Sequence, residues 1–453
     1  MIFSLEYAQD ILKKAKANGA TSADIFVLQG DAFEGSVRLG QIEKLHQAVV
    51  NNLTLRLFFG HSSAITSTSD LTKKSVDLLL ADTCTLARLA PPDPDAGLPE
   101  SAVLEKEIRD FDLFDPEISA QSIDEKMARA KQAEQSALDA DPRIKNSEGA
   151  SLDHSTHTVF YAATNGFSGS YKGTSISLSV VPIAEENGTM QRDYWYSTRR
   201  KYREIETAES IGKKAAARAV RRLGARSIAT QGVPVVFDPE TSASLLSALA
   251  SAISGYAIYK NESFLVDALG TKIASEFVTI DDDPTIPSAL GTKPFDGEGL
   301  PSYKKRVVDK GILKSYLLDT YSGRKLKLPS TGNGSRGPGS APTVGTANFH
   351  FMPGRSSPHA IIQSVRAGLY VTDLIGFGVN TVTGDYSQGA TGIWIDQGEL
   401  AFPVEEITIA GNLKEMFLQI EEVGNDLNRW KRTSAPTIKI ARMTVAGTQR
   451  GAA

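Results

Sequence analysis

The amino-acid sequence predicts an α+β protein: a smaller N-terminal α+β region followed by a β-rich C-terminal domain with a large, mostly antiparallel sheet. Three observations carry that expectation. The chain opens on a helical apolar pattern, continues into strand-like runs and returns to a helix, the order of a small α+β unit. The stretch Ala90–Pro99 (APPDPDAGLP) then interrupts all periodicity, because prolines and short polar residues sustain neither helix nor ladder. Far downstream, Gly368–Phe417 holds four apolar runs: Leu369–Leu374, Gly392–Ile395, Leu400–Val404 and Ile407–Ile409. Glycine-bearing turns punctuate them.

Leu5, Ala8, Ile11, Leu12 and Ala15 recur at helical spacing within Met1–Ala20, and Gly19 marks the stop. Strands are expected at Ala23–Leu28, Phe33–Leu39, Gln41–Val49 and Leu53–Phe59, then a helix capped by Ser69 or Asp70 and ending near Leu89. Past the linker, Ser122–Ala140 reads as a helix, His157–Ala163 and Gly173–Ile183 as strands, and Glu186-Asn187-Gly188 as a hairpin turn into Met190–Thr198. Glu206–Leu223 is a helix with acids in its first turn and Gly224 beyond its end. Its Lys213, Lys214, Arg218, Arg221 and Arg222 read as a solvated face. Val233–Phe237 is a strand, and Thr241–Tyr259 one long helix. Short strands follow near Phe264–Leu265, Phe277–Ile280, Arg306–Val308 and Ile312–Leu317, and a short helix at Thr320–Lys325. Leu328–Met352 is a long Gly/Ser/Pro/Asn loop, functional or mobile. Ser357-Pro358 opens another helix, and Asn412 with Glu415 has a capping-box pattern. The expected regions are 1–90, a linker at 91–100, a central α+β domain at 101–228 packed with the first, and a C-terminal domain at 229–453.

A chain of 453 residues favours two or three domains. A net charge of −4 argues against a general nucleic-acid surface, and no direct nucleic-acid partner is expected. The single cysteine, Cys84, fits a reducing compartment. Neither a signal peptide nor an apolar span is evident, so cytoplasm, without membrane partners, is the expectation.

Chemistry is sparse. His154 and His157 lie close in sequence, but residues three apart on a strand face opposite ways, so they do not make a metal pair. There is no HExxH motif or longer variant, no phosphate-binding GxxxxGK[ST] and no convincing nucleophile elbow. Gly376-Phe377-Gly378 leads into strand rather than helix, which excludes a dinucleotide turn. Asp296 and Glu298 in FDGEG, and Asp385 in GDYS, could act as acid or base if buried, although loop acids on glycine turns are commonly turn formers.

Several phrases together resemble the TldD/PmbA family, in its TldE (PmbA) branch. They are Asn165–Tyr171 (NGFSGSY), GKKAAARAVRRLGA, VPVVFDPETSASLL, FLVDALGTKIASEFVTIDDDP, TKPFDGEGLPSYKKRVVDKGILKSYLLDTYSGRKLKLPSTGN and TGDYSQGATGIWIDQGELAFPVEEITIAGNLKEMF. The resemblance spans nearly the whole chain. It implies a heterodimeric zinc metallopeptidase, once described as a modulator of DNA gyrase, that cleaves unfolded and leader peptides. In the family, a TldD subunit supplies a His-Glu-x-x-x-His helix and a C-terminal cysteine ligand.

Here the motif falls on Ser247-Ala248-Leu249-Ala250-Ser251-Ala252, and Lys431–Gly447 has no cysteine. The metal positions Ser247, Ala248 and Ala252 are therefore degenerate, and no catalytic residue or cofactor is expected in this chain. Zinc is expected in a TldD-like partner, with peptides as substrate and a homodimer left open for the chain alone. Gly376, Gly378, Thr383, Gly384, Asp385, Tyr386, Ser387 and Asn333 are the expected peptide-groove or interface residues. Two other readings stay open: an independent regulatory homodimer acting on gyrase or a toxin–antitoxin system, and a zinc-independent hydrolase using Asp296, Glu298 or Asp385.

Overall fold

The structure is a computed structural model describing residues 3–447; Met1 and Ile2 of the N-terminal helical pattern lie outside the described residues. Its first half is built on one antiparallel sheet. β1 (Ser22–Arg38), β2 (Gln41–Phe59) and β3 (Ser62–Thr68) are joined through β1 to β4 (Ile144–Ala163) and β5 (Ser168–Glu186). β6 (Thr189–Arg192) and β7 (Trp195–Arg199) both pair with β5. The four short strands expected in Ala23–Phe59 are thus two long ones. The polar stretch between them stays in the ladder, with Gln29 opposite Asn51 and Gln29 Nε2 donating to Asn51 Oδ1 at 2.9 Å. Because β1 pairs with β4, the expected first and central regions share a sheet.

Four helices cover one face of that sheet. α1 (Leu5–Ala17) and α2 (Lys73–Leu89) bury Ile11, Leu12, Val76 and Leu80 against Ile25, Val27 and Leu55. Thr72, not Ser69 or Asp70, caps α2; Asp70 instead accepts the Thr72 amide at 2.9 Å. After the one-turn α3 (Pro116–Ala120), α4 (Ile123–Leu138) and α5 (Ala208–Val220) bury their alanine-rich faces on Phe33, Leu152, Ile176 and Leu178. The opposite face carries Phe26, Val159, Tyr161 and Phe167, which pack on Phe295 of the second half.

The basic end of α5 is not a solvated face. The expected strand Met190–Thr198 is interrupted, and the buried Asp193 in the break receives Arg218 Nε at 3.2 Å. Arg222 pairs with Asp373 at 3.5 Å, so this helix end joins the two halves. Only Lys213 and Lys214 face outward, paired with Glu209 in the helix and with Glu206 just before it.

In the second half β8 (Gln231–Phe237) lies between β15 (Ala367–Ile375), parallel to it, and β20 (Ile438–Gly447), antiparallel. β16 (Asp385–Asp396) and β17 (Glu399–Asn412) continue from β15, and β17 returns to β20, so the five strands form a ring; β18 (Ile420–Val423) pairs outside it. Ring closure removes free edges. Two of the four expected apolar runs, Leu400–Val404 and Ile407–Ile409, are therefore one strand. A smaller sheet joins β9 (Ile280–Asp282), β10 (Lys305–Asp309), β11 (Ile312–Leu313), β14 (Phe349–Phe351) and β19 (Thr433–Ser434).

The expected helix Thr241–Tyr259 is two, α6 (Pro239–Ala252) and α7 (Gly255–Tyr259), because Leu317 bonds across the break to Ile253 O at 3.0 Å and from Gly255 N at 2.8 Å. α8 (Thr320–Leu326), α9 (Pro358–Gln363) and α10 (Leu413–Leu418) complete the chain. The linker is fastened: Arg324 Nη1 and Nη2 donate to Asp95 O (3.0 Å) and Leu98 O (2.6 Å). The long loop is not bare either, since it holds β14 and a hairpin of β12 (Gly334–Ser335) and β13 (Thr343–Val344).

Candidate functional site: a hydroxyl-lined groove on α6

Asp238 positions α6 by accepting from the Thr241 amide at 2.8 Å and its hydroxyl at 2.9 Å, with Pro239 in the first turn. Leu245, Leu246 and Leu249 then face the ring core. Ser247 and Ser251 fall on the outer face and turn their hydroxyls back on the helix, to Ala243 O (3.0 Å) and Ser247 O (3.1 Å). They floor a groove of about 540 Å³. One wall is Val344-Gly345-Thr346, another Thr381-Val382, and Thr433 enters from the C-terminal segment; Glu262 is the carboxylate of the lining.

The three degenerate motif positions separate here. Ser247 borders the groove, whereas Ala248 is 9% exposed and Ala252 0%, both turned into the core. Serine and threonine hydroxyls are not the nitrogen, thiolate or carboxylate donors that hold catalytic zinc. Among the described residues no three His, Cys, Asp or Glu side chains converge on a point. The residues present do not fit a catalytic zinc.

The structure divides the other expected site residues. Gly376 and Gly384 adopt φ of 86°, and a Cβ on Gly378 would sit 1.4 Å from Ser387 O, so these glycines shape a tight tip between β15 and β16. Asp385 is an exposed turn former: its Oδ2 accepts from Thr383 Oγ1 at 2.6 Å and its Oδ1 from Asn412 Nδ2 at 3.2 Å, which holds its pKa below the usual value. Tyr386 points into the core, where burial raises its pKa, and Ser387 is exposed. Asn412 caps α10 through the Lys414 amide at 3.1 Å. Asn333 does not line the groove. It is buried, donating to Asp282 Oδ2 (2.8 Å) and Gly345 O (2.9 Å), and so braces one groove wall from behind. The tip also presents Ile375, Val382 and a Phe377 that is 108% exposed. Sequence reading had set Phe377 aside as part of a failed dinucleotide motif; an aromatic between two glycines was the available signal.

Asp296 and Glu298, named for acid–base chemistry, are both buried away from this groove. Asp296 Oδ1 accepts the amides of Glu298 (2.8 Å) and Leu300 (2.9 Å), and its Oδ2 that of Gly334 (2.9 Å). Glu298 turns to the Thr320 amide at 2.7 Å; burial, reinforced by Asp296 and Asp319, pushes its pKa up to about 7. His154 and His157 face opposite sides of the sheet. Burial lowers both to about 4, helped by Lys126 in one case and Arg200 in the other.

Residues 116–223 match the PmbA/TldA metallopeptidase central domain and residues 230–447 the C-terminal domain of the same family. The chain is 34% identical to metalloprotease PmbA of Escherichia coli O157:H7 over 98% of its length and 96% of that protein's. This chain belongs to the PmbA/TldD family. A PmbA homolog of Haemophilus influenzae is 32% identical over 98% of this chain and 95% of its own. Among solved structures of the PmbA/TldD fold, a Bacteroides thetaiotaomicron protein described as a candidate modulator of DNA gyrase superposes with a TM-score of 0.91 at 28% identity, covering 98% of both chains. TldE from Thermococcus kodakarensis shares the fold, with a TM-score of 0.87 at 22% identity over 98% of this chain and 100% of its own.

Proposed function

We propose that this chain is the non-catalytic, TldE-like subunit of a cytoplasmic two-subunit zinc metallopeptidase acting on unfolded or leader peptides. Zinc is held by a TldD-like partner and none by this chain. The observation that carries the reading is the groove on α6. Its floor is the outer face of the helix on which the family's metal motif falls, yet its polar lining is hydroxyls (Ser247, Ser251, Ser254, Tyr256, Thr346, Thr381 and Thr433) and the one carboxylate of Glu262. Hydroxyls and one exposed carboxylate lack the metal that brings the pKa of a bound water down towards neutrality.

The groove is suited to holding an extended peptide. β13 pairs only with β12 among the described strands, and Val344 is on the rim, so main-chain pairing along that edge would grip a peptide with little regard to sequence. The exposed tip bearing Phe377 adjoins the same groove through Thr381 and Val382. An apolar pocket on the partner that takes Phe377 would close one side of the groove, so assembly and peptide enclosure would be one event.

The test is to mix the purified chain with its His-Glu-x-x-x-His homologue. Co-elution and zinc-dependent cleavage of an unfolded peptide, with Phe377→Ser reducing both, is the expected result. No co-elution and no gain in cleavage would overturn the subunit reading. Chelator-insensitive hydrolysis by the chain alone would overturn its non-catalytic role.

A further inference from the structure

A second, partly open cavity lies at the seam between the two halves, away from the groove. We propose that it binds a carboxylate carried on an apolar body. The cavity has a volume of about 360 Å³, within the range of small-ligand sites, which favour such seams. Its floor is the first sheet's outer face, where Phe26, Leu28, Val159 and Tyr161 stand side by side, and Phe295 of the second half forms its roof.

One end of this apolar box is cationic. Arg336 has a side-chain exposure of 0%. Its Nη2 lies 2.7 Å from Asp24 Oδ1, close enough for an ion pair but off the angle of a hydrogen bond, and its Nη1 has no hydrogen-bond partner. Asp24 is already shared, because Arg56 Nε donates to its Oδ2 at 2.9 Å. Two guanidiniums on one carboxylate leave donors in excess. Lys293 also borders the cavity and donates to Gly334 O at 2.9 Å, one of the three bonds an ammonium can make. Asp296 beside it accepts three backbone amides and offsets part of the ammonium's charge, which leaves Arg336 as the main cation of this end. Arg432 stands exposed in the lining, and the lining acid Asp31 accepts the Thr156 hydroxyl.

The two ends select the ligand. A bare inorganic anion would leave aromatic walls facing water, and an apolar molecule would leave a buried guanidinium N–H unpaired, which is costly. An apolar group ending in a carboxylate meets both demands, and the planar carboxylate suits the guanidinium fork. A neighbouring hollow shares Gly30, Asp31, Thr156 and His157 with the cavity. Such a ligand comes from two sources, a free organic acid or the C-terminus of a peptide. The inference stands whether or not the chain is a peptidase subunit.

The test uses the full chain with N-acetylphenylalanine and with a glycine-rich hexapeptide ending in phenylalanine, each as the acid and as the amide. Titration calorimetry and thermal melts are the readouts. At least one acid is expected to bind saturably and raise Tm, with its amide weaker by about ten-fold or more. Binding of the free acid alone identifies a small-molecule ligand, and binding of the peptide acid alone a chain terminus. Leu28→Trp, which fills the apolar end, and Arg432→Gln, at an exposed position, should each weaken binding while leaving the circular dichroism spectrum unchanged. No saturable binding by either acid, equal binding of acid and amide, or indifference to Leu28→Trp would overturn the proposal.

Discussion

Restoring the metal motif as Ser247→His, Ala248→Glu and Ala252→His together is expected to destabilise this chain without giving it zinc. Ser247 is exposed and can carry an imidazole at no more than ~0.5 kcal/mol. Ala252 cannot. It is fully buried, and its carbonyl receives the Ser263 hydroxyl at 2.6 Å. An imidazole there overfills the core at a cost of about 1–3 kcal/mol, and its unpaired ring nitrogens add about 1–3 kcal/mol more. A glutamate at Ala248, on the core side of the same helix, brings a further penalty of the second kind. The sum, roughly 3–9 kcal/mol, is a large part of the ~5–15 kcal/mol that holds a domain together. Urea unfolding followed by tryptophan fluorescence measures the loss, zinc calorimetry tests for the site, and Ser247→His alone is the control. A triple variant as stable as the parent that binds one zinc ion at micromolar concentration would refute the assignment of these faces.

Acid sensitivity follows from two buried neutral imidazoles. Burial, helped by Lys126 Nζ 2.9 Å from His154 Nε2 and by Arg200 beside His157, lowers both folded pKa values to about 4, below the ordinary ~6.5. A depressed histidine gives stability that is complete above the unfolded pKa and lost as pH falls from about 6.5 towards 4, at most ~3 kcal/mol for the well-buried His154 and less for His157. Urea midpoints across that window should decline, and His154→Leu should flatten the decline. Phe295→Ala removes ring contacts to Phe167 (4.9 Å) and Tyr171 (5.4 Å) across the seam; it should cost about 3–5 kcal/mol and broaden or split the thermal transition, and a single unchanged transition would contradict the packing. Gly378→Ala forces the backbone off Ser387 O, and should lower Tm while increasing amide exchange at Gly376–Ser387.

The sequence made local chemistry legible and left long-range pairing hidden. Asn187-Gly188 turns with φ of 51° and 78°, as the hairpin reading requires, and Asn412 caps α10 as read, although its side chain takes the Lys414 amide and not that of Glu415. Both depend on neighbours within a few residues. The long strands were missed because Gln29 finds Asn51 only once β1 and β2 align, so a polar interruption reads as a break. Arg218 and Arg222 read as solvated because their partners, Asp193 and Asp373, are far along the chain. In the site, the glycine tip was visible and its reach was not: Asn333 looked like a loop residue, although Asp282 draws it inward. Glu298 and Asp296 followed the turn-former pattern in one respect only, since three-dimensional burial set the rest.

The ring of strands also fixes an order of events during synthesis. β8, which starts it, has β15 and β20 as neighbours, and β20 ends at Gly447. Pairings across such long separations are slow to form. Until the segment through Gly447 has left the ribosome, β8 lacks one neighbour and the ring stays open. The first half, whose sheet needs nothing beyond Arg199, can fold well before then. Emergence of β20 is therefore the step at which α6 acquires its complete setting, and any subunit that recognises the finished groove must meet a chain synthesised at least that far.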